Sequence, residues 1–90
     1  MKKRLHAYYS GSVQGVGFRF TAERLAASLD ISGFVSNLRD GRVEVIAEGR
    51  DSALKEFLEK IKGIFKTYIT DIDIDWSEAT GEFEGFDIRM

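Results

Sequence analysis

Ser10-Gly11-Ser12-Val13-Gln14-Gly15-Val16-Gly17-Phe18-Arg19 sets three glycines and an arginine between a strand pattern and a helix pattern. Glycine lets successive backbone N–H groups converge, and a helix start adds N–H groups with no partner inside the helix. Together they make a cradle for phosphate or carboxylate. Arg19 adds a charge argument. A cation in the first turn opposes the helix macrodipole and costs about 0.3–1 kcal/mol unless an anion lies between them. A tight turn with a solvated arginine is the competing reading, and a glycine-rich loop alone does not exclude it.

The rest of the chain supplies the elements that must hold this loop. Leu5, Ala7 and Tyr9 alternate with Arg4, His6 and Tyr8, the period of a strand with one buried face. Phe18, Ala22, Leu25, Ala26 and Leu29 recur at helical spacing, so residues 18 to 29 form an amphipathic helix that ends over Asp30 to Gly33. Two strand runs follow, Phe34 to Leu38 and Arg42 to Glu48. They are joined across Asp40-Gly41, a dipeptide that favours hairpin turns because both residues tolerate positive φ. Asp51 or Ser52 is placed to cap a second helix carrying Leu54, Phe57, Leu58 and Ile61, with Gly63 as its stop. Tyr68, Ile72, Ile74 and Trp76 alternate with Asp71, Asp73 and Asp75 in a fourth strand. Phe83 to Ile88 adds a short fifth after a turn at Ala79-Thr80-Gly81.

Strand, helix, strand, strand, helix, strand is the order of a ferredoxin-like α+β sandwich, βαββαβ. The expectation is an antiparallel or mixed sheet of four to five strands, with two helices packed on one face, in a single domain spanning residues 1–90. Right-handed crossovers make the first two strands parallel and place the third between them. The glycine loop and Asn37 then leave the same edge of the sheet, about 10 Å apart before their side chains reach inward. An arginine fork and an amide face each other there across a bound phosphate. Taken alone, without the glycine loop, Asn37 reads rather as a strand-end residue preparing the Asp40-Gly41 turn.

Composition removes several function classes. Ninety residues bury roughly 60–65% of their unfolded surface, enough for one core but not for a deep cavity, so the site must be a surface cleft. The chain has no cysteine, which rules out disulfides and thiolate chemistry. A net charge of −2 opposes a general nucleic-acid footprint or an anionic membrane surface. Met1-Lys2-Lys3-Arg4 is basic like a signal-peptide start, but Leu5 to Ser12 is too short and polar for the apolar segment that should follow. No run approaches a membrane span, and a cytoplasmic location is the expectation. Asp71, Asp73, Asp75 and Glu82 fall at the spacing of a calcium loop, but Trp76 stands where that loop needs glycine, and the intervening isoleucines read as a strand. His6 is the lone histidine, so no multi-histidine metal site is available and no metal is expected. Tyr8 and Tyr9 leave RNA binding through the sheet as a third class. The third strand, Arg42 to Glu48, lacks the aromatic and glycine pattern for stacking bases.

Gly11 to Arg19, followed by Gly33-Phe34-Val35-Ser36-Asn37-Leu38-Arg39-Asp40-Gly41-Arg42-Val43-Glu44-Val45, resembles the paired signature of the acylphosphatases. These are small ferredoxin-like enzymes that hydrolyse carboxyl phosphate anhydrides. The likeness covers nearly the whole chain, including Glu48-Gly49 and the aromatic segment around Phe83 and Phe86. It implies that Arg19 binds the phosphate and that Asn37 positions water, with the backbone N–H groups of Gln14, Gly15, Val16, Gly17, Phe18 and Arg19 completing the cradle. It implies direct attack of water on phosphorus without a metal or other cofactor. The partner is then a small-molecule acyl phosphate, inorganic phosphate is both product and inhibitor, and the protein is a monomer. A non-catalytic accessory module, of the kind fused within hydrogenase maturation proteins, is the alternative. Family members often carry Gly-Pro after the second helix, where this chain reads Gly63-Ile64-Phe65. That departure touches contacts to the organic part of the substrate more than the reaction.

Overall fold

The computed structural model describes residues 1–89. Five strands and two helices follow the order β1 (Lys2–Gly11), α1 (Phe18–Ser28), β2 (Ser32–Asn37), β3 (Val43–Arg50), α2 (Asp51–Ile64), β4 (Ile69–Glu78) and β5 (Phe86–Arg89). The sheet runs β4-β1-β3-β2-β5. β3 lies antiparallel to both β1 and β2, β4 is antiparallel to β1, and β5 runs parallel to β2. The sheet is therefore mixed. This is the expected ferredoxin-like α+β fold.

Side-chain alternation explains why the helices cover one face. Leu5, Ala7 and Tyr9 of β1 and Val43, Val45 and Ala47 of β3 point inward, where they meet Ala22 and Ala26 of α1 and Leu54, Phe57 and Ile61 of α2. Small alanines on α1 let that helix sit close to the sheet, while the larger side chains of α2 fill the remaining volume. Phe18 and Phe65 complete the core at the end nearest the glycine loop, with ring centroids 4.8 Å apart. Tyr9 lies 4.9 Å from Phe18 and is fully buried, so it cannot stack a nucleobase. Burial also pushes its phenol well above the usual 10.0. Tyr8 stands on the open face with the Arg42 guanidinium 4.5 Å from its ring centre, which leaves one of the two expected tyrosines there.

Element boundaries differ from the sequence pattern where tertiary contacts override it. Ser10 and Gly11 belong to β1, because β4 is long enough to pair with them across a bulge. The second helix has no side-chain cap: β3 runs straight to Arg50, and the Asp51 carboxylate sits in the first turn paired with Lys55 at 3.0 Å. Gly63 does not stop that helix, which continues to Ile64. Burial of Phe65 against Phe18 fixes the chain past the glycine, and the Phe65 N–H still bonds to the Ile61 carbonyl at 3.0 Å. Of Asp40-Gly41 only Gly41 has positive φ, at 96°, and the turn closes through Gly41 N–H to the Leu38 carbonyl at 3.2 Å. Tyr68 turns back to the Phe65 carbonyl and so precedes β4, while Trp76 is 42% exposed on that edge strand. β5 starts three residues later than Phe83, whose ring instead packs on Phe34, 6.1 Å away on the open face. Asp71, Asp73 and Asp75 face Ser10, Tyr8 and His6 across β4–β1, and Glu82 pairs with Arg4 at 3.1 Å, so the calcium-loop spacing does not form a loop.

Candidate active site

β1 and β2 end at the same edge of the sheet with β3 between them, and the chain turns out of each into the loops that form a cavity of about 290 Å³. Gly15, Gly17 and Arg19 line it from the loop and α1, Asn37 lines it from the last position of β2, and Ile88 reaches it from β5. Arg19 and Asn37 therefore share one cavity with the loop backbone. The loop is held from below by Val13 and Phe18, both buried, and the Tyr9–Phe18–Phe65 aromatic stack fixes where α1 begins.

Backbone conformation gives the loop its donors. Gly15 and Gly17 have φ of 79° and 83°, the left-handed region that glycine adopts without strain, and both line the cavity. Gly17 is the N-cap of α1 and offers no side chain to the helix end. The first helical hydrogen bond runs from Thr21 N–H to the Gly17 carbonyl at 3.0 Å, so the first-turn N–H groups of Phe18 and Phe20 have no acceptor within the helix. No acidic residue stands in that first turn. The electrostatic balance of this helix end favours an anion.

Asn37 brings a different property. Its side-chain oxygen Oδ1 is buried and has no hydrogen-bond partner in the protein. Asn37 lines the same cavity as Arg19. It is suited to accept a hydrogen from water.

Gln14 contributes more than its backbone. Its side-chain Nε2 donates to the Leu38 carbonyl at 2.8 Å and to the Arg42 carbonyl at 2.9 Å. One amide thus ties the loop after β1 to the turn between β2 and β3, directly beside Asn37. The sequence carried a hint of this, a long polar side chain between two valines in a loop otherwise built of small residues, but its partners are 24 and 28 positions away. Ile88 and Phe20 are likewise additions to the expected site residues. Among the described residues no three His, Cys, Asp or Glu side chains group as metal ligands, and no helix is long and apolar enough to cross a membrane.

Comparison with known proteins decides the family. The acylphosphatase family model matches residues 5–88. The chain belongs to the acylphosphatase family. It is 43% identical over 89 residues to the acylphosphatase of Salinibacter ruber, covering 98% of this chain and 94% of that protein. It is also 43% identical over 86 residues to that of Thermus thermophilus, covering 94% and 97%. The crystal structure of an acylphosphatase from Bacillus subtilis superposes with a TM-score of 0.89 at 33% identity, over 98% of this chain and 99% of that one. The chain is thus an enzyme of a hydrolase family, matched along almost its full length.

Proposed function

We propose that the chain hydrolyses the carboxyl–phosphate bond of small-molecule acyl phosphates. Arg19 and the backbone N–H groups from Gln14 to Arg19 hold the phosphoryl oxygens, and Asn37 holds the attacking water in line. A planar guanidinium with several N–H donors suits a phosphoryl group whose charge spreads over its equatorial oxygens. Water oxygen attacks phosphorus, the bond to the carboxyl oxygen breaks, carboxylate leaves, and the water proton passes to a phosphoryl oxygen of the substrate. Carboxylate is a good leaving group, so the step needs no strong general acid, and among the described residues the cavity lining contains none. Among the described residues the lining holds no carboxylate or imidazole to carry a metal, and Arg19 supplies the positive charge.

The observation that carries this reading is the buried, unpaired Asn37 Oδ1 in the cavity that Arg19 and the glycine loop also line. The same reading takes the protein as a monomer working in the cytoplasm. Inorganic phosphate, as product, occupies the same cradle and inhibits. The test pairs two variants. Arg19→Ala lowers turnover by at least ~10²-fold and weakens phosphate binding as well. Asn37→Ala lowers turnover comparably while phosphate affinity is largely kept. Near-normal turnover in Asn37→Ala would refute the role assigned to it.

A further inference from the structure

Beside the phosphate cavity lies a second, shallower depression of about 430 Å³, lined by Phe20, Thr21, Arg24 and Leu25 of α1 and by Ile64 at the end of α2. Phe20 lines both depressions and is the wall between them. Phe20 is 57% exposed and Ile64 54%; apart from Met1, no large apolar residue among the described ones is more exposed. Large apolar side chains gathered on one surface mark a place where something apolar docks. These two, from different helices, sit around one hollow that touches the site.

Resting on the hydrolytic reading above, we infer that Phe20 and Ile64 form the subsite for the organic part of the substrate, and that this subsite selects flat, apolar acyl groups over short ones. Continuity names the occupant. A phosphoryl group held by Arg19 and the loop is bonded to an acyl group that must leave the cradle across the adjoining wall, and that wall is the Phe20 ring. Phe20 follows Arg19 directly in the first turn of α1, so the ring and the guanidinium are carried by the same rigid element. Arg24, one helical turn on, lies with its guanidinium 5.4 Å from the centre of the Phe20 ring, within cation–π range. It holds the ring up as a wall. An acetyl group is too small to reach past that wall, whereas a benzoyl ring stacks on it with its edge toward Leu25 and Ile64.

The test compares benzoyl phosphate with acetyl phosphate for the wild type, Phe20→Ala, Ile64→Ser and Trp76→Ala. Trp76 is an exposed aromatic on the far edge strand and controls for loss of apolar surface in general. The ratio of kcat/KM, benzoyl over acetyl, is expected to fall about tenfold in Phe20→Ala, less in Ile64→Ser, and not at all in Trp76→Ala. Calorimetric binding of benzylphosphonate against methylphosphonate reads the same subsite without turnover, and the preference for benzylphosphonate shrinks in Phe20→Ala. A ratio equal in all four proteins, with an equal phosphonate preference, overturns the inference. If the wild type hydrolyses neither acyl phosphate but still prefers benzylphosphonate in a Phe20-dependent way, the subsite stands and the hydrolytic reading falls.

Discussion

Gln14→Ala removes two hydrogen bonds from one side chain, and the structure sets the size of the effect. The Nε2 donor serves the Leu38 and Arg42 carbonyls at 2.8 and 2.9 Å in a partly buried setting. Neutral hydrogen bonds contribute about 0.5–1.5 kcal/mol each, so the pair is worth about 1–3 kcal/mol. Neither carbonyl is left bare, because the Leu38 oxygen keeps Gly41 N–H at 3.2 Å and the Arg42 oxygen keeps Leu38 N–H at 2.8 Å. The loss therefore lies toward the lower half of that range, about 1–2 kcal/mol. For a domain of this size each kcal/mol lowers Tm by roughly 4–8 °C.

Activity should suffer beyond stability. The amide is the brace between the cradle and the strand end that carries Asn37, and a shift of ~1 Å in a reacting geometry costs on the order of 10²-fold. We expect kcat/KM for an acyl phosphate to fall at least tenfold at 25 °C, where Gln14→Ala is still folded. Gln14→Glu is the sharper variant. Its carboxylate faces two carbonyl oxygens with no proton to give, so it destabilises more than alanine at neutral pH. Urea titrations and steady-state kinetics on the three proteins decide the matter. An unchanged unfolding midpoint with unchanged kcat/KM would show that the amide braces nothing. A lowered midpoint with unchanged kcat/KM would refute its role in aligning the two halves of the site.

Three further outcomes follow from other residues. Hydrolysis should survive dialysis against EDTA, since the described residues of the cavity lining offer a metal no carboxylate or imidazole; loss of turnover restored by magnesium would contradict the mechanism. Glu48 is 2% exposed, and although burial alone would raise its pKa, hydrogen bonds from Thr80 and Gly81 and the Arg4 charge hold it below the usual 4.5. A lowered folded pKa means stability that is complete above about pH 4.5 and lost as pH falls through the folded value, so this part of the acid sensitivity should vanish in Glu48→Gln. Gly17→Ala meets no atom within 4 Å, so its cost is the left-handed backbone alone, about 1–2 kcal/mol by denaturant titration, and Gly17→Asn should cost less.

Patterns local in sequence were readable, and contacts between distant residues were not. Period-two alternation through Leu5, Ala7 and Tyr9 and the 3.6 spacing from Phe18 to Leu29 identify β1 and α1 because each residue's burial depends on its own position along the element. The meeting of the glycine loop with Asn37 followed from crossover handedness, a rule that needs only element order. Gly63 misled for the opposite reason, since the helix end is set by Phe65 packing on Phe18, 47 positions earlier in the chain. The pairing of β5 with β2 was equally hidden. It depends on Glu48 gripping Thr80 and Gly81 and on Gly33 N–H reaching the Gly85 carbonyl at 2.8 Å, contacts that span 32 to 52 positions. Phe20 fell on the solvent side of the helical pattern, where a lone phenylalanine is unremarked until its neighbour from α2 is known.

Several of the local rules that this chain breaks meet at one place. Asn37 Oδ1 is buried with no hydrogen-bond partner in the protein, as Arg4 Nε and Tyr9 OH are elsewhere, but it alone belongs to a residue lining the phosphate cavity. α1 begins on a left-handed glycine with no capping side chain, which gives up a few tenths of a kcal/mol relative to asparagine or serine. Its first turn carries no acid to complement the dipole. Each deficit faces the same cavity, and each is the complement of something a phosphoryl-transfer site must bind: an acceptor for water, and donors for phosphate oxygens. An anion at ~100 times its dissociation constant adds about 2.7 kcal/mol to the folded state, more than the uncapped helix start gives up. An aspartate at the cap would settle the helix end more simply. It would also place a carboxylate where the substrate's phosphate must lie, so the weakness of this helix start is the condition for its use.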